Sequence, residues 1–126
     1  MNRTGYRLRG RLDDAAACYQ RVIDLDPGNL TSRSVGIGNL GLIAQTRGDL
    51  DGAERLLRES LEIEKKLGRL EGQASELGNL GAIAEARGHL AEARRLWTQS
   101  GDLFARIGMP HMVELVQSWL DGLPPE

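Results

Sequence analysis

The chain has little of several things, and each shortage excludes something. Cysteine occurs once in 126 residues, at Cys18. A lone thiol rules out an internal disulfide or a cysteine metal cluster and suits a reducing, cytoplasmic setting. Aromatics are 4% of the chain, so its core must come mostly from Leu, Ile, Val and Ala. Neither sign of charge dominates: 16 basic against 18 acidic side chains leave a net charge of −2. That balance gives no electrostatic reason to bind nucleic acid or an anionic membrane. No apolar run approaches the ~20 residues of a membrane span. The basic opening MNRTGYRLRGRL has no apolar segment behind it and does not read as a secretory signal. His89 and His111 have no acidic or cysteine partners at ligand spacing. They read as surface or capping residues, and no metal or other cofactor is expected.

Glycine, by contrast, is abundant at 16 residues, and it is placed at intervals rather than clustered. The stretch IGNLGLIAQTRGDL at 37–50 returns as LGNLGAIAEARGHL at 77–90. With an offset of 40, residues 38–68 match 78–108 at 14 of 31 positions, ten of them in the first 16. Average composition would give roughly two matches by chance. A third, degenerate copy lies upstream, where Arg9, Gly10, Leu12, Asp13 and Ala15 match Arg47, Gly48, Leu50, Asp51 and Ala53 at an offset of 38. Self-similarity at such a period is the signature of a stacked repeat.

Each copy reads as two helices. Leu40, Ile43 and Ala44 form one apolar stripe, and Gly48 interrupts it. Asp49 can cap the next helix. There Leu50, Ala53, Leu56, Leu57, Leu61, Ile63 and Leu67 supply a second apolar face, closed by Gly68. Glu54–Arg58 and Glu62–Lys66 are i,i+4 pairs on the solvated side. The expected helices are 2–9, 12–25, 30–46, 50–67, 70–86, 90–107 and 110–121, with no strand. Cys18 shares the stripe of Ala15 and Val22 and is expected to be a buried structural thiol.

These residues resemble the tetratricopeptide repeat. In GRLDDAAACYQRVIDLDPGN, Gly10, Ala15, Tyr19 and Pro27 stand at the family's Gly, Ala, aromatic and Pro positions, with Val22 where Ala is usual. Leu40-Gly41 and Leu80-Gly81 match the Leu-Gly pair of the first helix, and Gly48 and Gly88 the turn glycine. Ala53 and Ala93 match the small residue opening the second helix, and Leu57 and Trp97 the large apolar position. The period of 40 is similar to the long-helix variants of kinesin light chains, spindle-orientation adaptors and bacterial peptide-sensing regulators. The resemblance implies an all-α fold, a right-handed α-solenoid of about three stacked helix-turn-helix units. The expected division is a partial repeat at 1–28, repeats at 30–68 and 70–108, and a capping helix at 110–121, all in one domain. It also implies a non-catalytic scaffold that binds a peptide or protein segment along a concave face lined by first helices.

Glycine in a helix costs ~1 kcal/mol relative to alanine. Gly41 and Gly81 share the stripe of Leu40 and Ala44 and are expected to pack tightly on the partner helix. Gly38 and Gly78 point elsewhere, where a bare backbone would let a ligand come close. Helical phase gives the groove as Val35, Gly38, Asn39, Leu42, Gln45 and Thr46 in one unit. In the next it gives Ser75, Gly78, Asn79, Ala82, Glu85 and Ala86. Asn39 and Asn79 each carry one acceptor and two donors. They either hold a peptide backbone, the role the resemblance implies, or hydrogen-bond within their own repeat. Arg47 and Arg87 recur either as cations favoured at helix C-termini or as carboxylate binders. Trp119 aligns with Asn79 and faces either the groove mouth or the stripe of Met112, Val116 and Leu120.

Lys65 and Lys66 lie on a second helix, away from the groove, which therefore lacks a carboxylate clamp. GNLG sits inside a helix without the preceding strand and Gly-Lys ending of a phosphate loop. No nucleophile–base or paired-carboxylate arrangement stands out, so the chain is not expected to be an enzyme. Only about eight residues precede Arg9, so the first unit reads as incomplete, whereas MPHMVELVQSWLDGLPPE reads as a finishing helix. Tyr6, Leu8 and Leu12 would then form an N-terminal edge for homo-oligomer formation.

Overall fold

The computed structural model describes residues 3–125, with side chains from Arg7 onward. These form six helices and no strand: α1 (Arg3–Leu25), α2 (Leu30–Thr46), α3 (Leu50–Leu67), α4 (Leu70–Ala86), α5 (Leu90–Arg106) and α6 (Pro110–Asp121). Helices α2, α3, α4 and α6 have the bounds expected from the sequence, and α5 ends one residue earlier.

Glycine sets the joints. Gly48, Gly68, Gly88 and Gly108 all have positive φ, between 68° and 84°, a conformation that costs a side-chain-bearing residue steric strain. At each joint the residue after the glycine donates to a carbonyl five back: Asp49 to Ala44, Arg69 to Glu64, His89 to Ala84 and Met109 to Phe104, at 2.9–3.0 Å. One turn type, built four times, reverses the chain at equal intervals. Asp49 caps α3 as expected, its side chain accepting from the Gly52 N–H at 3.0 Å. Asn29 caps α2 in the same way through Ser32.

Gly10 behaves otherwise. The sequence predicts a break there, yet α1 runs unbroken through it, because Gly10 does not take the left-handed conformation. Among the described residues, α1 packs chiefly on α2. The bare backbone of Gly36 rests on the Ile23 side chain and the Tyr19 carbonyl. Cys18, Val22 and Leu25 fall outside that contact, so Cys18 is exposed rather than buried.

Each helix packs on the next, most closely α2 on α3 and α4 on α5, while α2 and α4 also touch. The main core runs from α3 to α6 through Ala53, Leu57, Ala74, Leu80, Ala93, Trp97, Phe104 and Val116. Gly41 and Gly81 are the tight contacts the sequence implied. A Cβ at Gly41 would sit 3.0 Å from Leu57, and one at Gly81 would run into the Trp97 indole. Matched serines repeat one interhelical bond: Ser60 Oγ donates to the Ser34 carbonyl at 3.2 Å, and Ser100 Oγ to the Ala74 carbonyl at 2.7 Å. Glu54 pairs with Arg58 as expected, but Glu62 pairs with Lys65 rather than Lys66.

Candidate functional site

Helices α2, α4 and α6 share one side of the molecule, and two concavities lie between them. The first, about 210 Å³, lies between α2 and α4 and is floored by α3. The second, about 380 Å³, lies between α4 and α6 and is floored by Trp97 of α5. Asn79 lines both.

The residues named from helical phase divide between them. Val35, Gly38, Asn39, Leu42, Ser75 and Asn79 line the first. Gly78, Asn79, Ala82, Glu85 and Trp119 line the second. Gln45 and Thr46 line neither; the Thr46 hydroxyl bonds back to the Leu42 carbonyl at 3.0 Å. Ala86 is exposed at the end of α4. Trp119 takes both of its alternatives at once. It lines the second concavity and tilts against Trp97, ring centroids 5.6 Å apart, while packing on the core.

The glycines do not present open backbone. A Cβ on Gly38 would meet Glu76 Oε2 at 3.0 Å and Ser60 Oγ at 3.1 Å, and one on Gly78 would meet Ser100 and Trp119 at 3.5 Å. The groups that come close are the chain's own. The Gly78 carbonyl also accepts from Trp97 Nε1 at 2.9 Å, which fixes the indole as floor. Asn39 donates to the Val35 carbonyl at 2.8 Å, and Asn79 to Glu76 Oε1 at 3.4 Å. Each amide thus spends one hydrogen internally and keeps its carbonyl oxygen and a second hydrogen for another group.

Sequence reasoning missed the polar floor of the first concavity. Ser34, Ser60, Glu64 and Glu76 are all buried there. The Ser34 hydroxyl donates to Glu64, and Arg69 grips the same carboxylate with two bonds of 2.8 Å. Gly72 leaves room for that carboxylate, since a Cβ there would overlap it. Burial pushes the Glu76 carboxyl above its ordinary value; nearby Ser60 and Asn79 pull the other way and lose. Only Ser60 carried a signal, as a match of the repeat.

The recurring arginines bind carboxylates of the chain itself. Arg47 pairs with Asp13, and Arg87 with Asp51 at 2.6 Å. Asp13 and Asp51 are also matched positions of the repeat, so one ion pair recurs between successive units. No helix among the described residues is long and apolar enough to cross a membrane.

Two family models, both described as tetratricopeptide repeat, match the chain, one over residues 3–31 and the other over residues 37–70. No curated protein matches it. Helical hairpins joined at matched glycines, and found by two models of one family in separate stretches, leave a single assignment: the chain belongs to the tetratricopeptide repeat family.

Proposed function

We propose that this chain is a non-catalytic scaffold that holds an extended peptide or protein segment along α2, α4 and α6. Tetratricopeptide repeats generally mediate protein–protein interaction. The observation that carries the finer reading is the pair of concavities meeting at Asn79. A segment crossing both would meet the free amide groups of Asn39 and Asn79, the exposed apolar side chains of Val35 and Leu42, and the indole of Trp119. The chain then divides into a partial repeat at 1–28, repeats at 30–68 and 70–108, and α6 closing the stack.

Asn39→Ala combined with Asn79→Ala tests the groove. Alanine is the better helix former, and each lost side-chain bond is worth about 1 kcal/mol, so the melting temperature is expected to stay nearly unchanged. Affinity for peptides selected on the wild-type chain from a displayed random nonapeptide library should drop by about tenfold or more. Peptides that bind the double variant as well as wild type would refute the groove.

A second reading has one observation in its favour. Helix α1 carries exposed apolar side chains, Leu8 at 51%, Val22 at 37% and Leu25 at 77%, which suit self-association through that helix. Leu12 is half-buried and less available; the Tyr6 side chain lies outside the described residues.

A further inference from the structure

The second concavity departs from the first where the repeats can be compared. At the offset of 40, Ala82 stands for Leu42, Glu85 for Gln45, Trp97 for Leu57 and Trp119 for Asn79. Both tryptophans of the chain therefore line one hollow. Their rings are tilted by 44°, so they meet as two walls of a corner rather than as a closed stack. Trp97 is buried and fixed by its bond to the Gly78 carbonyl. Trp119 is half-buried, with part of its indole open to the hollow.

Glu85 is the charged departure. Among the described residues, no Lys or Arg lines either concavity. Of the acids that do, Glu64 is clasped by Arg69 and Glu76 is buried. Glu85 alone is exposed, and no side chain among the described residues pairs with it. The fold gains nothing from a charge there. Glu85 lies in the last turn of α4, where the negative end of the helix dipole disfavours a carboxylate. The matched Gln45 shows that the repeat is built equally well with a neutral amide.

We propose that this corner receives an arginine side chain projected from the bound segment, its guanidinium over the Trp119 indole and paired with the Glu85 carboxylate. This rests on the peptide-groove reading above and adds to it a chemical requirement at one position of the ligand. Indole surface attracts a cation lying over the ring. The Glu85 carboxylate supplies the opposite charge, with no basic side chain in the hollow to compete for it. A planar, weakly hydrated guanidinium stacks on a ring and bonds a carboxylate from its edge at the same time, which a compact ammonium does not do. The methylene stem would lie against Ala82, a methyl where the first concavity has the larger Leu42. An acidic ligand side chain would be repelled by Glu85, and an apolar one would cover that carboxylate without pairing it.

The test is a displayed random nonapeptide library selected on the full chain, with each recovered peptide measured against wild type, Glu85→Gln and the Asn39→Ala, Asn79→Ala double variant. The expected result is an Arg at one fixed position. Affinity should fall by about threefold or more for Glu85→Gln, an exposed change that copies the residue of the preceding unit. Replacing the peptide arginine by citrulline should cost about tenfold on wild type and clearly less on Glu85→Gln. Tryptophan emission should change as Trp-free peptides are titrated in, because both indoles line the hollow. Recovered peptides with no fixed arginine, a citrulline penalty equal on both proteins, or an unaltered emission would overturn the assignment of this corner. If the double asparagine variant still weakened those peptides, the groove itself would stand. Recovery of no peptide at all would overturn both.

Discussion

Glu64 and Glu76 are the same residue type, and both are buried, but their surroundings are opposite: one is clasped by Arg69 and the other has an oxygen without a partner. The difference has a thermodynamic sign. Burial raises the folded-state value of Glu76 above the ordinary 4.5. The favourable contribution of its neutral form is therefore complete below the unfolded value and is lost as pH rises through the raised folded value. The facing charges are Glu64 on α3 and the Arg69 that holds it; α2 presents Ser34, Gly38 and Asn39. Glu76→Gln should therefore be more stable than wild type by about 1–3 kcal/mol at neutral pH. Denaturation across about pH 4–8 should show that advantage shrinking as the medium becomes more acidic. A gap that stays constant with pH would contradict the burial argument.

At the scale of the helix, identical residues have different consequences. Gly10 lies inside α1, and among the described residues no side chain or other element comes within 4 Å of where its Cβ would be. Gly10→Ala should stabilise the chain by about 0.5–1 kcal/mol, the ordinary propensity gain. Gly81 lies inside α4 against the Trp97 indole. Gly81→Ala makes the same propensity gain but forces an overpacking cost of about 1–3 kcal/mol, so its melting temperature should fall. Thermal melts of the two variants in opposite directions check this; a shift of the same sign in both would show that close packing does not govern α4. The serine bonds recurring between α2 and α3 and between α4 and α5 set how each hairpin seats, and the Arg–Asp pairs link one hairpin to the preceding unit.

At the scale of the molecule, stability in a stacked array comes from neighbours. Helices α2 to α5 each pack on a helix at either side, whereas among the described residues α1 packs chiefly on α2 and α6 on α5. The outer face of α6 is mostly polar with Leu115 as an exception, but α1 exposes Leu8, Val22 and Leu25. Self-association through α1 predicts a mass that rises with concentration in light scattering, and a constant monomer mass for Leu25→Glu. A wild-type chain that stays monomeric at high concentration would count against it.

The helices, their period and their joints were legible in the sequence because the forces that set them act locally. An apolar stripe, a capping aspartate and a glycine at a left-handed joint involve residues within one or two turns of each other. The sites of Gly41 and Gly81 could be placed by phase for the same reason, as could most of the surface between α2, α4 and α6. Other features depended on which helix arrived as neighbour. Gly10 sits in the same Arg-Gly pattern as Gly48, yet it ends no helix, and Cys18 is exposed because α2 seats on Ile23 instead. The buried acids were illegible for a further reason. At the repeat offset Glu76 aligns with Gly36 and Glu64 with Phe104, so self-comparison gives no hint of them. The bonds that define their floor span 26 and 30 residues of chain. Local chemistry determined the hairpins; only their stacking decided which polar groups would be shut away from water, and which of them would be left without a partner.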